Sequence, residues 1–206
     1  MFKILNVKVL LVVSVIIGIL TIKISAGSSN EKIVFLGDSH MAYTDWNSMF
    51  SHVNILNHGI GGNASQDIYN RLGLVIKDNP KKIFIMVGTN DIIRGVTPDN
   101  FILTYDKILH VLIKRLPHAE VYVMTILPGY FENDTLFNSV VLMLNAKIKQ
   151  AVEKYKKHDN IKFLDIHESF MLPGTLRLNP AYTFDGIHLT DQGYLNWKQQ
   201  IMPYVH

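Results

Sequence analysis

Ile83-Phe84-Ile85-Met86-Val87 is apolar at every position. A strand with one wet face would alternate, so this run predicts a strand covered on both sides. Four more strand-like runs accompany it: Ile33–Leu36, Val53–Asn57, Val121–Leu127 and Ile161–Ile166. Helical patterns lie between them. Gln66–Lys77 carries Ile68, Leu72, Val75 and Ile76 on one face, and Leu136–Tyr155 carries Val141, Leu144, Ile148, Val152 and Tyr155. Thr97-Pro98-Asp99 supplies a cap, a first-turn proline and a first-turn acid. It opens a helix with Phe101, Tyr105, Ile108, Leu109 and Leu112 on one stripe, stopped by Pro117. A last helix starts after Thr190. Alternating strand and helix predicts an α/β fold, with a parallel sheet between two helical layers. In such sheets the chemistry collects at the carboxyl ends of the strands.

The first thirty residues differ from the rest. Lys3 and Lys8 precede an apolar run, Val9–Ile22, and Ser25-Ala26-Gly27 offers small residues for cleavage. As a helix the run is ~21 Å long, short against a hydrocarbon core of ~30 Å. Residues 1–29 therefore read as a signal peptide or an N-terminal membrane anchor, with residues 30–206 as one folded domain. Either reading places that domain outside the cytoplasm, secreted, periplasmic or attached to the membrane through residues 9–22. Lys+Arg 20 against Asp+Glu 17 gives +3. Removing Lys3, Lys8 and Lys23 leaves 17 against 17, so a basic nucleic-acid-binding domain is not indicated. The chain has no cysteine, which excludes disulfides, thiolate metal sites and a cysteine nucleophile.

Four polar clusters follow apolar runs: Gly37-Asp38-Ser39-His40, Asn57-His58-Gly59-Ile60-Gly61-Gly62-Asn63, Gly88-Thr89-Asn90-Asp91 and, before the last helix, Asp185-Gly186-Ile187-His188. Together they permit acyl transfer. A serine hydroxyl needs a base to take its proton. His188 fits that role, since imidazole changes protonation near neutral pH. Asp185, three residues earlier, can accept the other ring N–H and hold the tautomer. The backbone N–H groups of Ser39 and Gly62 and the side-chain amide of Asn90 can face the oxyanion. Each cluster alone has a plainer reading: a helix-start turn, a turn after a buried strand, a surface ion pair.

In this order the clusters resemble the SGNH (GDSL) hydrolase family. Ser39 matches its block I nucleophile, Gly62 the block II glycine, Asn90 the block III asparagine, and Asp185 and His188 the block V Asp-x-x-His. The stretches NHGIGGNASQDIYNRLG and FIMVGTNDIIRG look most like the branch of platelet-activating-factor acetylhydrolase-like and carbohydrate-esterase-like members. The resemblance spans roughly residues 32–203. It implies a flavodoxin-like three-layer α/β/α fold with a central five-stranded parallel sheet. It also implies no cofactor or metal, and a small-molecule or glycan ester as substrate, cleaved by a Ser39–His188–Asp185 triad with a Ser39, Gly62 and Asn90 oxyanion hole. Two positions depart from the pattern. His40 stands where Leu or Ile is common, and Asn63 where Asp is common. They are expected to touch neither the triad nor the oxyanion donors, and to affect substrate choice.

Two other functions compete. Gly59, Gly61 and Ala64 fit the G-x-G-x-x-A fingerprint of a dinucleotide-binding protein, with Asp91 roughly placed as its ribose acid. A non-catalytic envelope-binding module on the same fold is the third reading. The remaining histidines lack metal-ligand spacing, Trp46 reads as packing, and Arg94 as either a pocket residue or a surface one.

Overall fold

The computed structural model of the chain describes residues 31–205; the expected leader lies outside them. Five strands, β1 (Lys32–Gly37), β2 (Asn54–Gly59), β3 (Lys82–Met86), β4 (Glu120–Met124) and β5 (Ile161–Leu164), form one parallel sheet in the order β2-β1-β3-β4-β5. This is the flavodoxin-like order, with its switch point at β1. Eight α-helices, α1 (Ser39–Ala42), α2 (Trp46–Met49), α3 (Ser65–Asn70), α4 (Leu72–Asp78), α5 (Thr89–Ile93), α6 (Pro98–Arg115), α7 (Asp134–Glu153) and α8 (Asp191–Val205), and two 3₁₀ segments, Glu168–Phe170 and Pro180–Tyr182, lie among the described residues.

The two-residue repeat of the strands divides the core. Val34, Leu36, Ile83, Ile85, Val121 and Val123 face Ile68, Val75, Phe101, Leu109, Leu144 and Ile148 of α3, α4, α6 and α7. Phe35, Phe84, Met86, Tyr122 and Met124 face the other way, onto Met41, Trp46, Tyr194, Trp197 and Ile201 of α1, α2 and α8. Both faces are covered, as the unbroken apolar run of β3 required. Trp46 is 1% exposed, sits edge-on to Phe35, Tyr194 and Trp197, and donates its indole N–H to the Met41 carbonyl, so it is a packing residue.

Thr97 caps α6 by accepting from the Asn100 amide, with Pro98 in the first turn. The helix expected over Gln66–Lys77 is instead two, α3 and α4, separated at Arg71. The guanidinium of Arg71 turns back to the sheet, donating to Asn63 Oδ1 at 2.9 Å and to the Gly37 carbonyl at 2.9 Å. The expected strand over Val121–Leu127 ends at Met124. Ile126 then leaves the ladder, and its backbone N–H and C=O both bond the Asn145 side chain of α7.

The ladder levels the strand ends. Gly37 of β1 pairs with Gly59 of β2 and with Met86 of β3. The loops that follow these three strands therefore start side by side. Gly59 lets α1 lie directly against β2: a Cβ there would stand 2.3 Å from the Ala42 nitrogen and 2.5 Å from the Met41 carbonyl carbon. Neither backbone atom can yield without moving the helix that begins at Ser39. Gly59→Ala is expected to destabilise the fold by about 1–3 kcal/mol and to lower activity in the protein that still folds. Urea denaturation and steady-state turnover of the variant check both.

Candidate active site

Asp38 ends the turn after β1 and caps α1, its carboxylate accepting from the His40 backbone N–H. The helix-start reading of Gly-Asp-Ser is thus correct in itself, and it also fixes Ser39. The residue is 5% exposed. Across the site, the chain between the 3₁₀ segment Pro180–Tyr182 and α8 forms a narrow loop closed by a Thr183–Leu189 bridge. Asp185 Oδ1 accepts from the backbone N–H groups of Ile187 and His188, and Oδ2 accepts from His188 Nδ1 at 2.6 Å. One carboxylate therefore shapes the turn and orients the imidazole. Gly186 is required at φ +92°, and a Cβ there would lie 2.2 Å from the Tyr130 carbonyl oxygen.

His188 Nε2 stands 3.0 Å from Ser39 Oγ, across 149 residues of sequence. With Nδ1–H given to Asp185, Nε2 carries the lone pair that faces the hydroxyl. Partial burial works to raise the Asp185 pKa. The hydrogen bonds from the His188 ring and from the Ile187 and His188 amides outweigh it and bring the net value below the ordinary carboxylate range. Asp185 thus stays ionised beside the ring. Tyr43 and Phe184, both exposed, flank His188, with ring centroids at 5.1 and 6.0 Å.

Gly62 occupies the left-handed region at φ +77°, with nothing within 4 Å of the place a Cβ would take. Its N–H and that of Ser39 have no protein acceptor among the described residues. Asn90 Nδ2 donates to the Asn63 carbonyl at 3.0 Å, which leaves its second amide hydrogen free. Arg94 donates to the Gly62 carbonyl at 2.6 Å and pairs with Asp67 at 3.1 Å. The structure thus brings Ser39, Asp185, His188, Gly62 and Asn90 to one end of the sheet.

The two departures from the family pattern are closer to this centre than their sequence positions suggested. The carbonyl of Asn63 is the acceptor that holds Asn90, and the ring of His40 reaches the backbone of Ile187, next to His188. For Asn63 the expectation is corrected, since its backbone carbonyl bonds Asn90, while the hydrogen bonds of the His40 ring go to Asp38 and Ile187. Their partners come from loops far along the chain, so local sequence carried no sign of them. Asp91, the acid a dinucleotide reading needs, is 1% exposed, with both oxygens taken by the backbone N–H and hydroxyl of Ser65. No ribose can reach it.

Comparison with known proteins agrees with this geometry. Residues 24–195 match the GDSL-like Lipase/Acylhydrolase family. The rat platelet-activating factor acetylhydrolase IB subunit alpha2 is 30% identical over 170 residues, 79% of this chain and 70% of the relative. A GDSL-like lipase from Bacteroides thetaiotaomicron superposes with a TM-score of 0.70 at 22% identity, covering 85% of this chain and 87% of that one. A catalytic mutant of an acetylxylan esterase from Geobacillus stearothermophilus does so at 0.69 and 19% identity, covering 86% and 94%. The chain belongs to the GDSL-like lipase/acylhydrolase family and is an esterase of that type.

Proposed function

We propose that the protein is a serine esterase that hydrolyses small acyl esters through a covalent acyl-enzyme on Ser39. The observation that carries this reading is the relay Ser39 Oγ, His188 Nε2, His188 Nδ1, Asp185 Oδ2, with links of 3.0 and 2.6 Å. Ser39 Oγ attacks the ester carbonyl carbon and passes its proton to His188 Nε2. The oxygen that becomes negative lies before the N–H groups of Ser39 and Gly62 and the free amide hydrogen of Asn90. His188 then gives its proton to the departing alcohol oxygen as the C–O bond breaks. Water attacks acyl-Ser39, again losing a proton to His188, and the acid leaves as the proton returns to Ser39 Oγ. Asp185 remains ionised throughout and stabilises the imidazolium.

For the substrate we favour an acetyl ester, on a carbohydrate or on a short-chain or lysophospholipid-like alcohol. Acetyl is the acyl group shared by the names of the platelet-activating factor acetylhydrolase and acetylxylan esterase relatives. A chain-length series of activated esters, followed by acetylated polysaccharides, tests this choice. Turnover is expected to fall steeply beyond short acyl groups, and equal rates on long-chain esters would reject it. The domain is proposed to act outside the cytoplasm, delivered by residues 1–29.

Ser39→Ala and His188→Ala are each expected to lose on the order of 10⁶ in kcat, and Asp185→Asn ~10⁴. The Ser39→Ala/His188→Ala double variant should be little worse than either alone. Turnover like the wild type in folded Ser39→Ala would end the assignment. Asn90→Ala is expected to lower kcat by ~10²–10³ with little change in KM, because its bond strengthens as charge develops. Steady-state kinetics separates this from a binding role, which would raise KM instead. N-terminal sequencing of the protein from its native host checks the leader. A cut between Ala26 and Ser29, or retention in the membrane fraction, is expected, and a freely soluble full-length cytoplasmic protein would rule out both.

A further inference from the structure

His40 follows the nucleophile and is 2% exposed, yet neither ring nitrogen is idle. Nδ1 lies 3.2 Å from Asp38 Oδ1, and Nε2 lies 3.0 Å from the carbonyl oxygen of Ile187, 147 residues along the chain. A carbonyl oxygen can only accept, so Nε2 carries a hydrogen. An ionised Asp38 also only accepts, so Nδ1 carries the other. Two acceptors facing one imidazole define a buried imidazolium–carboxylate pair on either side of Ser39. The backbone of His40 is fixed as well: its N–H is held by Asp38 Oδ1, and its carbonyl accepts from the Tyr194 hydroxyl of α8 at 3.0 Å.

The carbonyl that His40 holds belongs to the residue directly before His188, inside the turn that Asp185 shapes. Tyr130 ties this loop from outside, its N–H donating to the Gly186 carbonyl at 2.8 Å. His40 ties it from the nucleophile's own helix. From this geometry we infer that His40 is a positioning residue: as a cation fixed by Asp38, it clamps the Ile187 carbonyl and sets His188 against Ser39. The ring centroids of His40 and His188 are 6.0 Å apart, and nothing places His40 on the substrate. The inference rests on reading Ser39 and His188 as nucleophile and base.

The charges around the ring favour the cation. Burial works to lower the His40 pKa. The hydrogen bond and charge of Asp38, the Ile187 carbonyl and the charge of Asp185 together outweigh it, and the net value is raised above that of free imidazole. The other titratable groups near the pair are His188 and Tyr43 beside the site, Tyr194 on α8, whose hydroxyl burial pushes beyond the ordinary phenol range, and Asp91 on α5. With its value raised, the cation persists above the pH at which free imidazole loses its charge. As pH rises through the raised value one of the two N–H bonds is lost, and that acceptor faces a lone pair.

The test uses the full chain with His40→Leu, which restores the residue common in the family, and His40→Gln, which keeps an N–H donor without charge. A misplaced base costs on the order of 10²-fold for a shift of about 1 Å. His40→Leu is therefore expected to lower kcat by about 10- to 100-fold with KM within about twofold, and to slow Ser39 labelling by a serine-reactive phosphonate in parallel. His40→Gln should recover part of the loss. The wild type should show an alkaline decline in kcat/KM that both variants lack. Wild-type kcat and an unchanged profile in His40→Leu would overturn the inference. So would a kcat loss that Gln does not relieve and that leaves the alkaline decline in place, which is the pattern of a packing defect. If His40→Leu does not fold, His40→Gln decides, and a pH profile and kcat identical to those of the wild type refute the clamp. Full activity in Ser39→Ala would instead strike the underlying reading of the site.

Discussion

The parallel pairing of β1 with a neighbour on each side governs everything functional in this molecule. A residue-by-residue register places Gly37 level with both Gly59 and Met86. Three loops then begin at one height, about a strand spacing apart. Ser39, Gly62 and Asn90 leave from those three loops. A slip of one residue would send each side chain to the opposite face and separate the donors from Ser39. The apolar faces of the strands prevent such a slip, because they lock into two cores at once, Val34 and Leu36 on one side and Phe35 on the other. Catalytic geometry and hydrophobic packing are thus one constraint.

Carboxylates tie the loops that the ladder levels. Asp91 of α5 holds the backbone and hydroxyl of Ser65 at the start of α3. Asp67 receives the Ala64 amide and the Arg94 guanidinium, while Arg94 also grips the Gly62 carbonyl. Asp38 fixes His40, and Asp185 closes the turn that carries His188. A carboxylate with two oxygens and several lone pairs can satisfy backbone N–H groups that a loop would otherwise leave unpaired. Acids surround the centre, and most of them stabilise backbone rather than substrate. Burial raises Asp91 above the ordinary carboxylate range even with its Ser65 bonds, a cost that the rest of the loop framework sustains.

Local pattern revealed much of this in the sequence. The five strands, the capped helix from Pro98 and the Asp185–His188 turn are encoded within a few residues and are all present, although β4 and β5 stop short of their apolar runs. The break at Arg71 was hidden, because it accompanies a side chain that turns back to Gly37 rather than any breaker residue. The roles of His40, Asn63 and Arg94 were hidden for the same reason. Each acts on an atom of a distant loop, and in each pair at least one partner is a backbone carbonyl, which has no signature in a sequence. Side-chain chemistry can be read from letters, but carbonyl acceptors become visible only once the chain is folded.

The 149 residues between Ser39 and His188 also order events in time. A chain emerging from the ribosome at roughly 5–20 residues per second carries Ser39 for about 7–30 s before His188 exists. The turn bearing His188 is bonded to the Tyr130 loop, and Tyr194 of α8 bonds the His40 carbonyl, so on the proposed roles a chain synthesised past His188 still lacks its relay until the final helix docks. On the proposed roles an unfinished or clipped copy would be chemically silent, however well its first strands have paired. The appearance of esterase activity would accordingly mark the completion of the whole domain, and a cell making this protein is spared its chemistry until then.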